Sequence, residues 1–409
     1  MTAKLHYITL FLALLLPWAA ATQDADETFP ITGAERTALY LPLLQGKKVG
    51  LVGNKASMVY RDNADNILPC HLLDMLLNHG VDVVRLFGPE HGFRMQSEAG
   101  AVVNDNVDVA TGLPVVSLYG NHRKPTPQQL QGLDIMLLDL QDMGVRFFTY
   151  ISTLHYVMEA CAEAGIPLVV LDRYNPHTSY VDGPVLEDSC RSFVGMHPVP
   201  VCYGMTIGEY ALMINGEGWL RTGSTAGVQL TVVPMLGFRH EMVLTPRVSP
   251  SPNLQTRQAM LLYPSLCLFE GTNTSVGRGT SRPFEMAGSP FYKHHRGISR
   301  LFRHDFVFVP QPIPGISNNP PFKGKQCYGL NLHNVRPRHE LDLDYLLQIW
   351  QGTPHQGFFL DNGYFSLLAG NKTLQRQLEQ NLSEAEIRAS WQPGLAAFKQ
   401  VRAKYLLYE

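Results

Sequence analysis

Five short runs rich in valine, isoleucine and leucine, at 48–53, 81–88, 114–119, 134–140 and 167–171, punctuate the first 170 residues of this chain. Continuous apolar runs of this length read as strands buried on both faces. Between the first two lies 68–79, apolar at helical spacing and stopped by Gly80; between the last two lies 151–164, stopped by Gly165. Residues 126–132 fit a short helix with Pro127 near its start. Strand and helix in alternation imply an α/β fold with a doubly wound parallel sheet. Near residue 220 the texture changes. Strands are expected at 229–234 and 305–309, a proline-rich surface loop at 310–321, and helices at 341–350 and 383–405. The last helix opens on Ser383-Glu384-Ala385-Glu386, a capping-box pattern. The expected organisation is a parallel-sheet domain over 30–220 and a smaller α+β domain over 221–409, with a cleft between them.

The 409 residues, 45% of them hydrophobic, suffice for a large core without metals or disulfides. A formal net charge of -2 gives no basic footprint for nucleic acid. Lys4 and His6 precede an apolar run at 7–16, and Ala19-Ala20-Ala21 offers a small-residue cleavage site, so 1–21 reads as an export signal. The apolar run is shorter than the ~20 residues that span a bilayer. The expectation is therefore a mature protein with no membrane anchor, periplasmic or secreted. The six cysteines, Cys70, Cys161, Cys190, Cys202, Cys267 and Cys327, form no C-x-x-C pair. Export permits a Cys190–Cys202 staple, and separate buried thiols fit equally well.

Ligands of open parallel sheets bind beyond the carboxyl ends of the strands. The first strand ends at Gly53-Asn54-Lys55, the second at Gly88-Pro89-Glu90-His91-Gly92-Phe93-Arg94. The fourth ends at Asp139-Leu140-Gln141-Asp142 with Arg146 and Tyr150 following, the fifth at Asp172-Arg173-Tyr174-Asn175. One edge thus collects Glu90, His91, Arg94, Asp139, Asp142, Arg146, Asp172 and Arg173. Singly, each could be a cap or an ion-pair partner; together they mark a site. Glu90 sits on a sharp Pro-Glu-His-Gly turn that lets backbone approach a ligand, which makes it the leading catalytic candidate, with Asp142 and Asp139 beside it. Asn54, Tyr150 and Asn175 are candidate ligand contacts. A second polar cluster, Glu270-Gly271-Thr272-Asn273, Gly277-Arg278-Gly279-Thr280 and Arg282-Pro283-Phe284-Glu285, adds Glu270, Arg278 and Glu285.

Several chemistries lack their motifs. No G-x-G-x-x-G follows the first strand, no G-x-S-x-G supplies a nucleophilic serine, and no H-E-x-x-H is present. His294 and His295 are adjacent and point apart, a poor metal pair. No metal or organic cofactor is implied.

Pro89-Glu90-His91-Gly92-Phe93-Arg94 resembles the signature of the bacterial exo-β-N-acetylmuramidases. The resemblance continues through Ser117-Leu118-Tyr119-Gly120, Gln141-Asp142-x-Gly144-x-Arg146-Phe147 and Asp172-Arg173-x-Asn175-Pro176. Gly204-Met205-Thr206-Ile207-Gly208-Glu209, Phe269-Glu270-Gly271-Thr272, Gly277-Arg278-Gly279-Thr280 and Tyr405-Leu406-Leu407-Tyr408 complete it. It covers nearly the whole mature chain. Met95, where glycine is common, and Tyr174, where proline is common, depart from it. The resemblance implies a Rossmann-like domain with a smaller C-terminal domain, and release of terminal N-acetylmuramic acid from peptidoglycan fragments. It also implies Glu90 as the general acid.

Glycoside cleavage needs a proton at the leaving oxygen and stabilisation of an oxocarbenium-like centre. The partner carboxylate could be Asp139, Asp142, Asp172, Glu270 or Glu285, and retaining, inverting and substrate-assisted routes all stay open. The lactyl carboxylate of the sugar calls for a bidentate arginine, drawn from Arg94, Arg146, Arg173, Arg278 and Arg282. Two other classes compete: a periplasmic solute-binding protein for cell-wall sugars, and a muropeptide esterase or amidase.

Overall fold

The computed structural model describes residues 29–60, 69–94, 105–222, 227–292 and 306–409. The expected export signal at 1–21, Met95, and the pair His294 and His295 lie outside them.

The predicted apolar runs form strands. In chain order the strands are β1 (Val49–Val52), β2 (Met58–Val59), β3 (Cys70–His71), β4 (Val83–Gly88), β5 (Asn106–Val107) and β6 (Pro114–Ser117). After them come β7 (Ile135–Leu138), β8 (Leu168–Leu171), β9 (Leu230–Val233), β10 (Met286–Ser289), β11 (Phe306–Phe308) and β12 (Cys327–Asn331). The main sheet has the order β5-β6-β4-β1-β7-β8-β9. Every pairing in it is parallel except that of the edge strand β5. Leaving out the edge, strands one to six of this sheet lie in the order 3-2-1-4-5-6 of a doubly wound nucleotide-binding sheet. All four residues of β1, β7 and β8 are buried, as continuous apolar runs require. β9 joins this sheet beside β8. The strand expected at 229–234 is thus the outer strand of the main sheet, which runs past residue 220.

Helices α1 (Thr37–Leu44), α2 (Leu72–Asn78), α3 (Pro127–Leu130), α4 (Tyr150–Ala164) and α5 (Ile207–Gly216) flank the sheet. The start expected at 68 is later because Cys70–His71 pairs with β2 instead of winding into the helix. α3 and α5 both open on a capping box, Thr126 with Gln129 and Thr206 with Glu209. α4 ends at Gly165 in the left-handed conformation, φ 66°, where glycine escapes the Cβ penalty.

The remainder is a three-stranded antiparallel sheet, β10-β12-β11, with α6 (Arg257–Leu266), α7 (Asp344–Gly352), α8 (Tyr364–Ala369), α9 (Thr373–Glu379) and α10 (Glu384–Arg402). The Ser383 cap of α10 is present as expected, closing its box with Glu386. One hydrophobic core runs without a break from Val52 and Leu138 of the main sheet to Phe269, Phe358 and Phe398. The two parts are therefore packed as one body around that core. All six cysteines are free thiols, so Cys190 and Cys202 are not joined. Among the described residues no helix is long and apolar enough to cross a membrane.

Candidate active site

The topological switch point lies between β1 and β7, where an open sheet of this order usually binds its ligand. Here protein fills it. Arg173, just after β8, forms two bonds to Asp139, just after β7, at 2.5 and 2.8 Å, and a third to the Met58 carbonyl at 3.0 Å. Both side chains are buried. Adjacent strands are only about 4.8 Å apart, so opposite charges at neighbouring strand ends meet. Asn54, after β1, accepts from its own loop at Ala56 and donates to the Tyr150 hydroxyl, which donates to the Pro250 carbonyl. The cavity left beside Arg173 and Gln141 is about 10 Å³, room for about one water.

The open site is displaced to the ends of β4 and β6. After β4 the chain reverses through Pro89-Glu90-His91-Gly92. The Gly92 amide donates to the Pro89 carbonyl at 2.9 Å, and both His91 (φ 72°) and Gly92 (φ 77°) are left-handed. A non-glycine residue held there is strained, a feature that clusters at functional sites. The turn folds so tightly that a Cβ on Gly88 would lie 2.6 Å from the Phe93 amide nitrogen. It lifts Glu90 into a cavity of about 730 Å³, the size of a small-molecule site. Thr149 Oγ1 donates to Glu90 Oε2 at 2.9 Å. Tyr119, just past β6, also hydrogen-bonds Glu90; burial first, then that carboxylate, push the phenol well above its usual range.

The facing wall comes from the C-terminal part. After α6 a tight turn at Cys267–Gly271 carries Glu270. The Arg278 guanidinium forks onto Glu270 through Nε and Nη2, and the Cys267 thiol donates to Glu270 Oε2 at 3.6 Å. Gly271 is required because a Cβ there would stand 2.3 Å from the Phe365 Cα. That contact seats α8, whose first residue, Tyr364, lines the cavity. Burial, then Glu270, and further down Glu90, raise the Tyr364 phenol, so one tyrosine feels both carboxylates.

Of the sequence candidates, Glu90, Glu270 and Arg278 line this cavity. Asp139, Arg173, Asn54 and Tyr150 are committed to the filled switch point. Asp142 is buried beneath the site, taking bonds from the Tyr203 hydroxyl and the Gly144 amide; burial pushes its pKa up to about 6. Asn175 Oδ1 caps the His177 amide and its amide nitrogen donates to the Met205 carbonyl. Arg94 pairs with Asp108 at 2.7 and 2.9 Å. Glu285 is buried against Thr256, Arg282 and His333. His91 is buried in the turn, and Arg146 lies in the core, bonded to backbone carbonyls. These side chains are taken up by contacts within the protein, and none of them is among the described residues that line this cavity. Tyr119 and Tyr364 were missed. Tyr119 was findable, because it ends a strand, by the same rule that singled out Glu90.

Asp172 also lies outside the lining of this cavity. Its oxygens accept from Arg173 N, Gly208 N, Thr206 Oγ1 and the Tyr408 hydroxyl, at 2.9, 2.7, 2.7 and 2.5 Å. It sits at the amino end of α5, where the helix dipole favours a carboxylate, and it ties the C-terminal Tyr408 to the sheet. Burial, then the charge of Glu209, raise its pKa to about 7. The folded chain therefore keeps a proton that the unfolded chain, with a carboxyl near 3.9, has lost. Its contribution to stability is complete below about pH 4 and is lost as pH rises through about 7. Asp172→Asn should flatten the pH dependence of unfolding over that window by a few kcal/mol, as followed by urea unfolding at several pH values.

Gly277 and Gly279 are left-handed, with φ 80° and 79°. A Cβ on Gly279 would stand 2.5 Å from both the Gln311 carbonyl oxygen and Pro320 Cγ, and the Gln311 amide donates to the Gly279 carbonyl at 2.7 Å. This pair packs the proline-rich loop against the cleft. Gly279→Ala should cost about 2 kcal/mol or more and raise KM, read by thermal melting beside steady-state kinetics.

Fold and cleft together define a two-part α/β protein that presents two carboxylates and an arginine to one enclosed ligand space. The chain matches the model of the exo-β-N-acetylmuramidase NamZ N-terminal domain over residues 49–258 and of its C-terminal domain over 261–408. It is 38% identical over 384 residues, 90% of this chain and 89% of the other, to the peptidoglycan β-N-acetylmuramidase NamZ of Bacillus subtilis strain 168. Crystal structures of two DUF1343 family proteins from Bacteroides fragilis superpose with TM-scores of 0.81 and 0.76, at 38% and 29% identity. Each covers 93% of this chain and 99% of the other. The chain belongs to the exo-β-N-acetylmuramidase NamZ family, and it is a glycoside hydrolase.

Proposed function

We propose that the mature chain, exported to the periplasm, removes the terminal non-reducing N-acetylmuramic acid from peptidoglycan fragments such as the N-acetylmuramic acid–N-acetylglucosamine disaccharide. The observation that carries this reading is the convergence of Glu90, Glu270 and Arg278 on one cavity. Glu90 delivers the proton to the leaving oxygen, oriented by Thr149 and Tyr119. As the bond breaks, positive charge grows at the anomeric carbon, and the carboxylates of Glu90 and Glu270 hold that charge in a partly water-excluded site. Arg278 takes the lactyl carboxylate. Among the described residues it is the arginine that lines the cavity, and Glu270 leaves its Nη1 for a second anion.

The solute-binding reading gives no role to a carboxylate on a strained turn. The esterase reading needs a nucleophile with a base, and the described residues lining the cavity include no histidine. The test is incubation of the purified protein with the disaccharide and identification of the sugars by mass. Free N-acetylmuramic acid is the expected product. Binding without turnover would return the solute-binding reading to the front, and an intact glycosidic bond with an altered lactyl or peptide part would favour the esterase.

A further inference from the structure

The cavity has two chemically distinct ends. Its inner end is polar and enclosed. Thr272 and Thr274 are at most 5% exposed, and the Glu270 and Arg278 side chains about one fifth. Its outer end is apolar and open, with Phe291 59% exposed and Leu360 39% exposed beside Pro321 and Phe322. A phenyl ring this exposed gains little for the fold from burial. Phe291 is nonetheless held in place. Its ring meets that of Phe322 at 83°, centroids 5.9 Å apart, and its amide donates to Ser289 Oγ at 3.4 Å. Phe322 is itself left-handed, φ 57°, a conformation that costs a bulky residue about 1–3 kcal/mol and persists only where the surroundings impose it. The surroundings do so by pinning the loop. The Gly324 amide donates to the Pro310 carbonyl at 2.8 Å and the Lys325 amide to the Phe322 carbonyl at 2.9 Å.

An enzyme that takes the terminal sugar must hold that sugar in the closed end and let the rest of the substrate leave through the open one. What lies at the mouth therefore meets the leaving group. A β-linked N-acetylglucosamine ring carries its polar substituents around its rim and C–H bonds on its faces. Those C–H bonds match the electron-rich face of an aromatic ring.

We propose that Phe291, braced by Phe322, is the stacking platform for the N-acetylglucosamine residue on the leaving side of the scissile bond. It binds that second sugar and takes no part in bond cleavage. The proposal rests on the muramidase reading above.

The test compares two ligands that differ only on the leaving side: the N-acetylmuramic acid–N-acetylglucosamine disaccharide, and the methyl β-glycoside of N-acetylmuramic acid, which has no second ring. Phe291→Ala should raise KM for the disaccharide about tenfold with kcat little changed. The inhibition constant of the methyl glycoside against the disaccharide should stay where it is in the native protein. Phe291→Trp should restore the disaccharide KM. Phe291 is exposed, so neither variant threatens the fold. An unchanged disaccharide KM in Phe291→Ala, or an equal loss for both ligands, overturns the platform. Failure of the native protein to cleave the disaccharide would be seen before any variant is made, and would remove the muramidase reading and this subsite together.

Discussion

Glu90→Gln lowers kcat on the N-acetylmuramic acid–N-acetylglucosamine disaccharide by roughly 10²–10⁴-fold and leaves the melting temperature nearly unchanged. The stability half of this expectation follows from the site. Glu90 is half-buried at the tip of a turn whose shape is set by Pro89, His91 and Gly92, and a glutamine oxygen can still accept from Thr149 Oγ1. The kinetic half follows from what glutamine lacks, an acidic proton to deliver. That deficit depends on the leaving group. A nitrophenyl β-glycoside of N-acetylmuramic acid departs as a stable anion and needs little protonation, so Glu90→Gln should lose far less on it than on the disaccharide. An equal loss on both would mean that Glu90 acts at the anomeric carbon instead. Unchanged turnover of the disaccharide would remove Glu90 from the chemistry altogether. A structural carboxylate would instead lower turnover of both substrates together with the melting temperature.

The strands were legible because burial on both faces leaves no ambiguity. Ile135-Met136-Leu137-Leu138 has no polar position to confuse the pattern. β5 was not, since Asn106 and Val107 are exposed at the sheet edge and carry no apolar run. The edge rule found Glu90, yet also collected Asp139, Arg173 and Asp172, whose roles depend on neighbours far along the chain. Arg173 reaches Asp139 across 34 residues and Tyr408 reaches Asp172 across 236. Sequence can place both charges of a pair at strand ends without saying that they neutralise each other. It also offers no sign that filling the switch point moves the ligand to the ends of β4 and β6. Gly277 and Gly279 serve a packing requirement, set by a loop more than 30 residues later. Tyr364 and Phe291 carry no local signal, because only the seating of α8 and the packing around β10 bring them to the cleft.

Arg146 is the position where the sequence reading and the structure differ most in consequence. As a partner for the substrate carboxylate it would be dispensable to the fold, and its loss would appear in KM alone. The structure puts the guanidinium wholly inside the core. It donates to the carbonyls of Pro184 and Val199 at 2.8 Å each and of Leu368 at 3.0 Å, with Nε left without a partner. Among the described residues no carboxylate balances it; burial lowers its pKa to about 10. Gly370 makes room for it, since a Cβ at that position would lie 2.2 Å from Nη2. The arginine thus bridges the segment after β7, the 184–199 loop and the end of α8, the same helix that brings Tyr364 to the cavity. Arg146→Met keeps much of the volume and removes the charge, but leaves three buried carbonyls short of a donor. Each orphan costs about 1–3 kcal/mol, partly offset by no longer burying a cation. The expected net loss is about 3–5 kcal/mol, seen as a lower urea midpoint at unchanged slope. At a temperature where the variant is still folded, KM for the disaccharide should stay within a few-fold of native. A large rise in KM at full stability would restore Arg146 to the binding site and place the lactyl carboxylate there instead of at Arg278.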